Sequence, residues 1–335
     1  MRMSYNKKKV IISGGCGFIG HHTIEHLLRK TNWDIVVLDK LTYASFGLER
    51  LRNIGAYPNR RVKVFPVDIT QPLSFGVRKE IGEDANIFIH MAAESHVDNS
   101  ISEPRNSFHN NINGTIETLE YVKTLPNLEM YFYFSTDEVY GSAPKGTAFS
   151  EWDRHKPTNP YSAGKSAAEN ICIAYENTYK IPLMSVNVMN AFGARQHVEK
   201  FIPKTIKNIL HNNKVLIHSY PDKKEPGSRF YIHARNIAAA ILFLLEKGAI
   251  GEKYNVIGEK EVDNLEMAQF IAKAIGKPLK YEMIDFHGER PGHDLRYSLS
   301  GDKMKSLGWE LPHSFEESLR NTVEWTVANR EWLDD

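Results

Sequence analysis

The segment "GGCGFIG", residues 14–20, decides the fold of this chain because it sets three spaced glycines between an apolar run and an amphipathic segment. Gly14, Gly17 and Gly20 follow "KVIIS" and precede "HHTIEHLLRK", in which apolar residues recur at helical spacing. A glycine turn between a strand and a helix lets the backbone approach a pyrophosphate, and the helix N-terminus adds N–H donors. The pattern predicts a dinucleotide-binding turn; a glycine turn that serves only for packing is the alternative.

The first half of the chain repeats this alternation of apolar runs and helical patterns. The runs are "DIVVLDK", "VKVFPVDI", "ANIFIHMAA", "MYFYFSTDE" and "PLMSVNVMN". Buried runs that alternate with amphipathic helices are typical of a parallel sheet with helices on both faces. We therefore predict an α/β fold, a Rossmann-like doubly wound parallel sheet over residues 1–190. Residues 191–335 are predicted to form mainly a smaller mixed α+β lobe, with some interchange of chain between the lobes.

The composition argues against several classes of partner. The 335 residues carry a formal net charge of +1 with no long run of one sign, so neither nucleic acid nor a membrane surface is expected as a partner. We expect no membrane helix and no signal peptide, since the apolar part of the basic N-terminus is interrupted by glycines. Cys16 and Cys172 are expected to be reduced thiols in a cytoplasmic location. The scattered histidines predict no metal site.

Two aspartates follow the second and third apolar runs and extend the dinucleotide prediction. Asp39 lies 19 residues after Gly20, where a carboxylate bonds the ribose hydroxyls of a dinucleotide. The same carboxylate repels a 2′-phosphate, so the sequence favours NAD over NADP. Asp68 lies where it would meet the adenine, although an aspartate at a strand end is more often a turn residue.

The segment "PYSAGK" places Tyr161 and Lys165 four residues apart, on one face of a predicted helix. An ammonium group beside a phenol is expected to lower the pKa of Tyr161 towards the working pH. Such a tyrosine exchanges a proton with a substrate hydroxyl while hydride moves to nicotinamide. A surface helix with a core-facing tyrosine is the alternative explanation of the spacing.

The apolar run "MYFYF" ends in a hydroxyl and two adjacent carboxylates, Thr136, Asp137 and Glu138. Mutual repulsion between two carboxylates in a partly desolvated cleft separates their pKa values, so that one holds a proton while the other lacks it. The pair therefore predicts general acid–base chemistry at the strand end. A solvated turn is the alternative.

Together these motifs resemble the extended short-chain dehydrogenase/reductases, and within them the nucleotide-sugar 4,6-dehydratases. The resemblance runs over nearly the whole chain and is carried by "GGCGFIG", "LDKLTYAS", "VDIT", "HMAAESHVDNSI", "STDEVYG", "NPYSAGK", "HVEKFIP" and "ERPGHDLRYS". It implies that Tyr161 and Thr136 remove the proton of the sugar O4 while C4 is oxidised by NAD. Glu138 is implied as the base at C5, and Asp137 as the acid for the departing C6 hydroxyl.

The resemblance also implies a set of binding residues and a homodimer. The implied cofactor residues are Gly14, Gly17, Phe18, Ile19, Gly20, Asp39, Lys40, Leu41, Thr42, Asp68, Ile69, Ala92, Ala93, Glu94, Asn110, Tyr161 and Lys165. The implied substrate residues are Ser95, Thr136, Asn190, Lys200, Phe201, Arg229, Asn264, Arg290 and His293. Arg229 would hold the diphosphate of a nucleotide sugar. The homodimer would form through the predicted helices near 104–123 and 161–179.

Three departures from the family pattern leave the substrate open. "HARN" stands where an acidic pair is usual, "NAFGA" replaces "NNYGP", and Asn110 stands where threonine is common. dTDP-glucose is the leading expectation, while UDP-glucose, UDP-GlcNAc and CDP-glucose remain open. The alternative functions are a nucleotide-sugar 4-epimerase or decarboxylase of the same superfamily, and a non-catalytic NAD-sensing protein. The adjacent carboxylates favour the dehydratase.

Overall fold

A computed structural model describes residues 7–285 and 294–334. The strands are β1 Lys9–Ser13, β2 Asp34–Asp39, β3 Val62–Pro66, β4 Ile87–His90, β5 Met130–Thr136, β6 Leu183–Val188, β7 Ala191–Phe192, β8 Val215–Ser219, β9 Ser228–Phe230, β10 Ile232–His233, β11 Lys253–Val256, β12 Glu261–Asp263 and β13 Tyr281–Asp285. The α-helices are α1 Phe18–Lys30, α2 Glu49–Asn53, α3 Phe75–Ile81, α4 Val97–Ser102, α5 Pro104–Phe108, α6 Gly114–Val122, α7 Pro160–Tyr179, α8 Phe201–Leu210, α9 Ala234–Lys247, α10 Asn264–Ile275, α11 Asp302–Ser306 and α12 Phe315–Ala328.

The main sheet is parallel throughout and has the strand order β3-β2-β1-β4-β5-β6-β11. Alternate residues of β1 enter different apolar clusters: Val10 and Ile12 pack in one, and Ile11 packs in the other. Both faces of the sheet are therefore covered, which explains why its strands read as continuous apolar runs. The predicted Rossmann-like doubly wound sheet is confirmed.

The chain returns to the main sheet after residue 233. Helix α9 packs against α1, and the strand that follows it, β11, pairs with β6 at the sheet edge. The apolar segment 234–247 and the run 253–256 thus complete the dinucleotide-binding layer.

The remaining elements of the second half pack around a separate apolar cluster. Helices α8, α10 and α12 contact one another there. Strand β8 pairs in parallel with β13, and β9 pairs antiparallel with β12. These pairs give the mixed α+β character expected for this part of the chain. Among the described residues, no helix combines the length and the apolar character needed to cross a membrane.

Helices α5 and α6 are joined by one π-helical turn, His109–Asn113, so that they run on without a break. Within this turn Asn111 is buried, and its amide bonds both backbone groups of Glu94, with N···O distances of 2.8 and 3.1 Å. A π turn changes which side chains face inward and is common at functional sites. Here it anchors the loop after β4 against the helix layer.

Candidate active site

A cavity of about 1030 Å³ opens above the carboxyl ends of the central strands and continues towards α8 and β8. Ligands of open α/β sheets bind at this edge. The predicted residues that line it are Gly14, Gly17, Phe18, Ile19, Gly20, Asp39, Lys40, Thr42, Asp68, Ile69, Ala92, Ala93, Glu94, Ser95, Asn110, Thr136, Asp137, Glu138, Tyr161, Lys165, Asn190, Lys200, Phe201, Arg229 and Asn264. Leu41 does not line it and packs against the core instead. Arg290 and His293 lie outside the described residues.

The glycine turn forms the base of the cavity, and the backbone packs too closely there to leave room for side chains. Gly14 has φ +75°, and a Cβ atom built on it would lie 2.7 Å from the Ala92 nitrogen. A Cβ atom on Gly20 would lie 2.3 Å from the Gly14 carbonyl oxygen. The close approach of α1 to β1 therefore requires glycine, as predicted for a turn that brings backbone N–H groups to a pyrophosphate.

Asp39 is buried beneath the turn and organises it. Its carboxylate accepts hydrogen bonds from the backbone N–H groups of Cys16, at 2.9 Å, and Leu41, at 2.8 Å. Burial raises the pKa of Asp39, and these two bonds and Arg50 oppose that rise. Each carboxylate oxygen keeps a second lone pair, so the residue still suits the ribose hydroxyls for which it was predicted.

Arg50, which the sequence analysis did not single out, is fully buried at the cavity wall. Its guanidinium donates to the carbonyl oxygens of Cys16, Ala44 and Arg195, so it joins the glycine turn to two loops. Within the described part of the chain its Nη2 atom has no hydrogen-bond partner, and neither has Asn190 Oδ1. A glycine floor and unpaired polar atoms around one elongated cavity fit a dinucleotide such as NAD.

Tyr161 and Lys165 both enter the cavity from the start of α7, where Asn159 caps the helix by accepting from the Ser162 N–H. The expectation that Lys165 lowers the pKa of Tyr161 is not met. Burial raises the pKa of Tyr161, and Glu138 and Asp137 raise it further, while a hydrogen bond with Thr136 opposes them. Lys165 instead donates to the Phe134 carbonyl at 2.7 Å, and burial lowers its own pKa to about 8.

Asp137 and Glu138 occupy different environments although they are adjacent. Burial, followed by repulsion from Glu138, raises the pKa of Asp137 to about 7. Asp137 Oδ1 accepts from Thr136, at 3.0 Å, whereas Oδ2 is buried without a partner among the described residues. A carboxyl group with a pKa of about 7 is still partly protonated at neutral pH, which suits the role of general acid.

Glu138 is surrounded by hydrogen-bond donors. Its Oε2 atom accepts from Asn159 Nδ2, at 3.4 Å, and from the Tyr297 hydroxyl, at 3.3 Å. Burial holds the pKa of Glu138 above its ordinary value, and Arg229, Asn159 and Tyr297, Arg229 most, partly oppose that rise. These partners favour the ionised form, which a general base needs.

Arg229 lies where the two halves of the chain meet. It donates to the carbonyl oxygens of Ser228, Leu295 and Asp294, and its guanidinium stacks over the Tyr297 ring at 4.7 Å. Its charge therefore faces the acid pair as well as the cavity. On the same side, Asn264 accepts from Tyr231 at 2.8 Å, and Lys200 reaches the Ser95 carbonyl at 3.4 Å.

One departure in the substrate half has a local structural explanation. The His233 ring nitrogen accepts from the backbone N–H of Arg235 at 3.1 Å and so caps helix α9. An acidic side chain is a common N-cap for the same reason. The segment "HARN" therefore keeps a capped helix start without a carboxylate.

Tyr297, Asn159 and Asn111 contribute to the site but were not predicted. Asn159 had a local signal, since it precedes "PYSAGK" at an N-cap position. Tyr297 lies 159 residues from Glu138, and Asn111 acts through a π turn, so neither had one.

The fold and the cavity define a Rossmann-like dinucleotide-binding protein with two adjacent carboxylates in the same cavity as the glycine turn. A family model described as GDP-mannose 4,6 dehydratase matches residues 11–322. The chain therefore belongs to the GDP-mannose 4,6-dehydratase family.

Relatives of known function are similar over almost the whole chain. The dTDP-glucose 4,6-dehydratase of Neisseria gonorrhoeae is 35% identical, with 97% of each chain covered. A trifunctional UDP-glucose 4,6-dehydratase, 3,5-epimerase and reductase of Arabidopsis thaliana is 34% identical over 99% of this chain. The chain spans 49% of that plant protein's length.

The solved structures that this chain resembles include enzymes of the same kind as these sequence relatives. The dTDP-glucose 4,6-dehydratase of Bacillus anthracis, in complex with NAD, has a TM-score of 0.84 at 31% identity, covering 97% of this chain and 98% of its own. DesIV of Streptomyces venezuelae, a dTDP-glucose 4,6-dehydratase with NAD and TYD bound, has a TM-score of 0.86 at 30% identity, covering 97% and 99%. The UDP-glucuronic acid 4-epimerase of Bacillus cereus shares the fold at 23% identity, with a TM-score of 0.86 and coverage of 96% and 99%.

Proposed function

We propose that this chain is an NAD-dependent nucleotide-sugar 4,6-dehydratase, a hydro-lyase that converts a nucleoside-diphosphate hexose to the 4-keto-6-deoxy sugar nucleotide. The observation that carries the proposal is the pair Asp137–Glu138 in the same cavity as the glycine turn and Tyr161. Family membership and the dTDP-glucose 4,6-dehydratases among the relatives support it. dTDP-glucose is the first substrate to test, ahead of UDP-glucose, UDP-GlcNAc and CDP-glucose.

The cofactor would occupy the half of the cavity that the glycine turn, Asp39 and Asp68 enclose. NAD⁺ bound there would accept a hydride from the sugar C4 and, after loss of water, return it to C6. Lys40 pairs with Asp68 at 2.7 Å at the far end of this half. Lys165 and Tyr161 hold the end next to the sugar.

Oxidation at C4 requires removal of the proton from O4. The Tyr161 hydroxyl is hydrogen bonded to Thr136, and Thr136 donates in turn to Asp137. Tyr161 is the residue that takes the O4 proton, and Thr136 orients it. To accept this proton Tyr161 has to be a phenolate beforehand, and since burial raises its pKa, the charge of Lys165, one turn further along α7, is needed to stabilise that phenolate.

Elimination of water needs a base and an acid at the same time. Glu138, whose carboxylate is held by Asn159 and Tyr297, takes the C5 proton, which the 4-ketone has made acidic. Asp137 gives its proton to the leaving C6 hydroxyl, because with a pKa of about 7 a large fraction of this carboxyl group is still protonated at neutral pH. The difference between their surroundings supports these two roles.

Incubation with the four sugar nucleotides, followed by mass spectrometry, tests the proposal. A dehydratase product is lighter than its substrate by one water. An unchanged mass with inversion at C4 would indicate the epimerase, and tightly bound NAD without turnover would indicate the NAD-sensing protein. The carboxylate pair favours the first outcome.

We also propose a homodimer in a cytoplasmic location. Helices α6 and α7 pack side by side, and Tyr179 on their outer surface is half exposed, with the Lys123 ammonium 4.0 Å from its ring centre. Such a helix pair suits a four-helix interface with a second copy. Cys16 and Cys172 are free and buried, which supports a reducing compartment. Light scattering after gel filtration gives the mass, and Tyr179→Glu is expected to shift it towards the monomer.

A further inference from the structure

Two charged side chains of α7 hold consecutive residues of the strand that ends in the acid pair. Lys165 Nζ donates to the Phe134 carbonyl oxygen at 2.7 Å. One helical turn further on, Glu169 Oε2 accepts from the Ser135 hydroxyl at 2.8 Å. Both contacts lie immediately before Thr136, so α7 sets the position of the strand end from which the catalytic carboxylates project.

The charge of Glu169 is balanced by a lysine on the edge strand of the sheet. Its Oε1 atom lies 2.7 Å from Lys253 Nζ, at the start of β11, and the exposed fractions of the two side chains are 1% and 2%. His155 Nε2 lies 3.6 Å from the same carboxylate, and its Nδ1 bonds the Ser166 hydroxyl at 2.8 Å. Burial lowers the pKa of His155, so Lys253 is the cation that balances this buried carboxylate, and the Ser135 hydroxyl donates to its other oxygen.

The groups around Lys165 show how the Glu169 carboxylate affects the charge of its ammonium. The Tyr133 ring lies 4.4 Å from Lys165 Nζ, and burial lowers the pKa of Lys165 to about 8. On α7, Cys172 and Glu169 oppose this change. On the other side, Lys165 lowers the pKa of the buried His90 of β4, so His90 adds no stable positive charge.

We infer that Glu169, held in place by Lys253, is a positioning residue that keeps the Lys165 ammonium charged inside the core and ties the catalytic strand end to α7. The inference rests on the proposed function for its catalytic meaning. The electrostatic part of the inference does not depend on that function. It states that the Glu169 carboxylate stabilises the buried Lys165 ammonium and is itself balanced by the Lys253 ammonium, and both are properties of the folded chain.

The test follows the protonation of Lys165 directly in the full-length protein. Lysine labelled with ¹³C at Cε gives a resonance that moves on deprotonation, and Lys165→Met identifies the signal of Lys165 by its loss. In Glu169→Gln the amide still accepts from Ser135 but carries no charge. Its Lys165 midpoint is expected about one pH unit below that of the wild type. Coincident midpoints in the two proteins would overturn the inference.

A second variant covers the case in which Glu169→Gln fails to fold because it leaves Lys253 unpaired. The double change Glu169→Gln with Lys253→Met removes both charges, so neither is buried alone. Its midpoint is also expected below the wild-type value, by less, since a repelling cation leaves with the attracting carboxylate. A midpoint at or above the wild-type value would overturn the inference. Glu252→Gln, which breaks the half-exposed ion pair with Lys303, is the matched control and leaves the midpoint unchanged.

Turnover of a sugar nucleotide then separates this inference from the proposed function. If the wild type makes a dehydrated product, we expect the alkaline limb of the pH–rate profile to lie at lower pH in Glu169→Gln than in the wild type. The shift should equal the shift of the Lys165 midpoint. If the Lys165 midpoint shifts but the alkaline limb of the pH–rate profile does not, the catalytic role inferred for Glu169 is overturned. If the wild type converts none of the sugar nucleotides, the proposed function fails, while the midpoint shift still decides whether Glu169 keeps Lys165 charged.

Discussion

The hydroxyl of Tyr297 donates a hydrogen bond to the Glu138 carboxylate, 3.3 Å away, across 159 residues of sequence. The contact joins the strand end of the dinucleotide-binding half to a segment late in the second half of the chain. The Tyr297 ring also lies beneath the Arg229 guanidinium, with 4.7 Å between the ring centre and the guanidinium carbon. The environment of the proposed base therefore depends on both halves being folded together.

Replacing Tyr297 by phenylalanine tests this contact. The hydroxyl lowers the pKa of Glu138, so its loss is expected to raise that pKa and move the acid limb of the kcat/KM profile to higher pH, by less than about one unit. The profile is measured with the substrate identified by mass spectrometry. Tyr175→Phe, which removes a surface bond to Glu120, serves as the control, and an acid limb unchanged in both variants would contradict the assignment of Glu138.

Glu138→Gln separates oxidation from elimination. We expect exchange of the C5 proton with deuterated solvent to slow by about 10²–10⁴-fold, the range for loss of a general base. Oxidation at C4, followed as reduction of bound NAD, is expected to persist because Tyr161 and Thr136 are intact. Equal loss of both steps would show that Glu138 is not the base at C5.

Asp137→Asn is expected to lose elimination and to gain stability. The folded-state pKa of Asp137, about 7, lies above the ordinary value of 3.8. Its contribution to stability is therefore complete below about pH 4 and is lost as the pH rises through 7. Asparagine does not ionise, so at alkaline pH the variant is expected to unfold with a free energy about 2–4 kcal/mol higher than the wild type.

The measurement for Asp137→Asn is urea unfolding at several pH values. The two proteins should agree below about pH 4, where the aspartate is neutral in both states. A difference of stability that does not change with pH would indicate a packing effect and contradict the raised pKa.

Gly20→Ala tests the floor of the cofactor site. The new Cβ atom would lie 2.3 Å from the Gly14 carbonyl oxygen and 2.7 Å from the Gly15 Cα, so α1 has to move away from the turn. We expect loss of NAD binding, measured by calorimetry or by the cofactor content of the purified protein.

Gly76→Ala is the matched control for Gly20→Ala. Gly76 lies in α3, and nothing lies within 4 Å of its added Cβ atom. This variant is expected to keep its NAD and to gain about 0.5–1 kcal/mol in stability, because alanine favours a helix interior over glycine. Retained NAD in Gly20→Ala would contradict the role assigned to the turn.

The α/β fold was predictable because its signals are local. Periodicity separates strands from helices, and the glycines of the turn at 14–20 reflect steric limits that hold in any protein with this turn. Lys165 shows the opposite case. Its spacing from Tyr161 predicted a shared helix face, yet its ammonium bonds the Phe134 carbonyl, because a buried cation takes the nearest acceptor, which here lies on strand β5.

The way in which segments far apart in the chain come together was harder to predict from the sequence. The apolar run 253–256 reads as a strand, but nothing local says that it joins the main sheet beside β6. Arg50 illustrates the same limit, since an arginine in a short helix ordinarily predicts a surface residue, whereas here three backbone carbonyls hold it inside.

The sequence by itself determined the layer architecture, the glycine turn and the adjacent carboxylates, since each depends on steric or chemical properties of neighbouring residues. The tertiary structure alone decided how the surroundings of the two carboxylates differ. Protonation depends on burial and on charges close in space, and the groups that make Asp137 differ from Glu138, Arg229 and Tyr297 among them, come from remote parts of the chain.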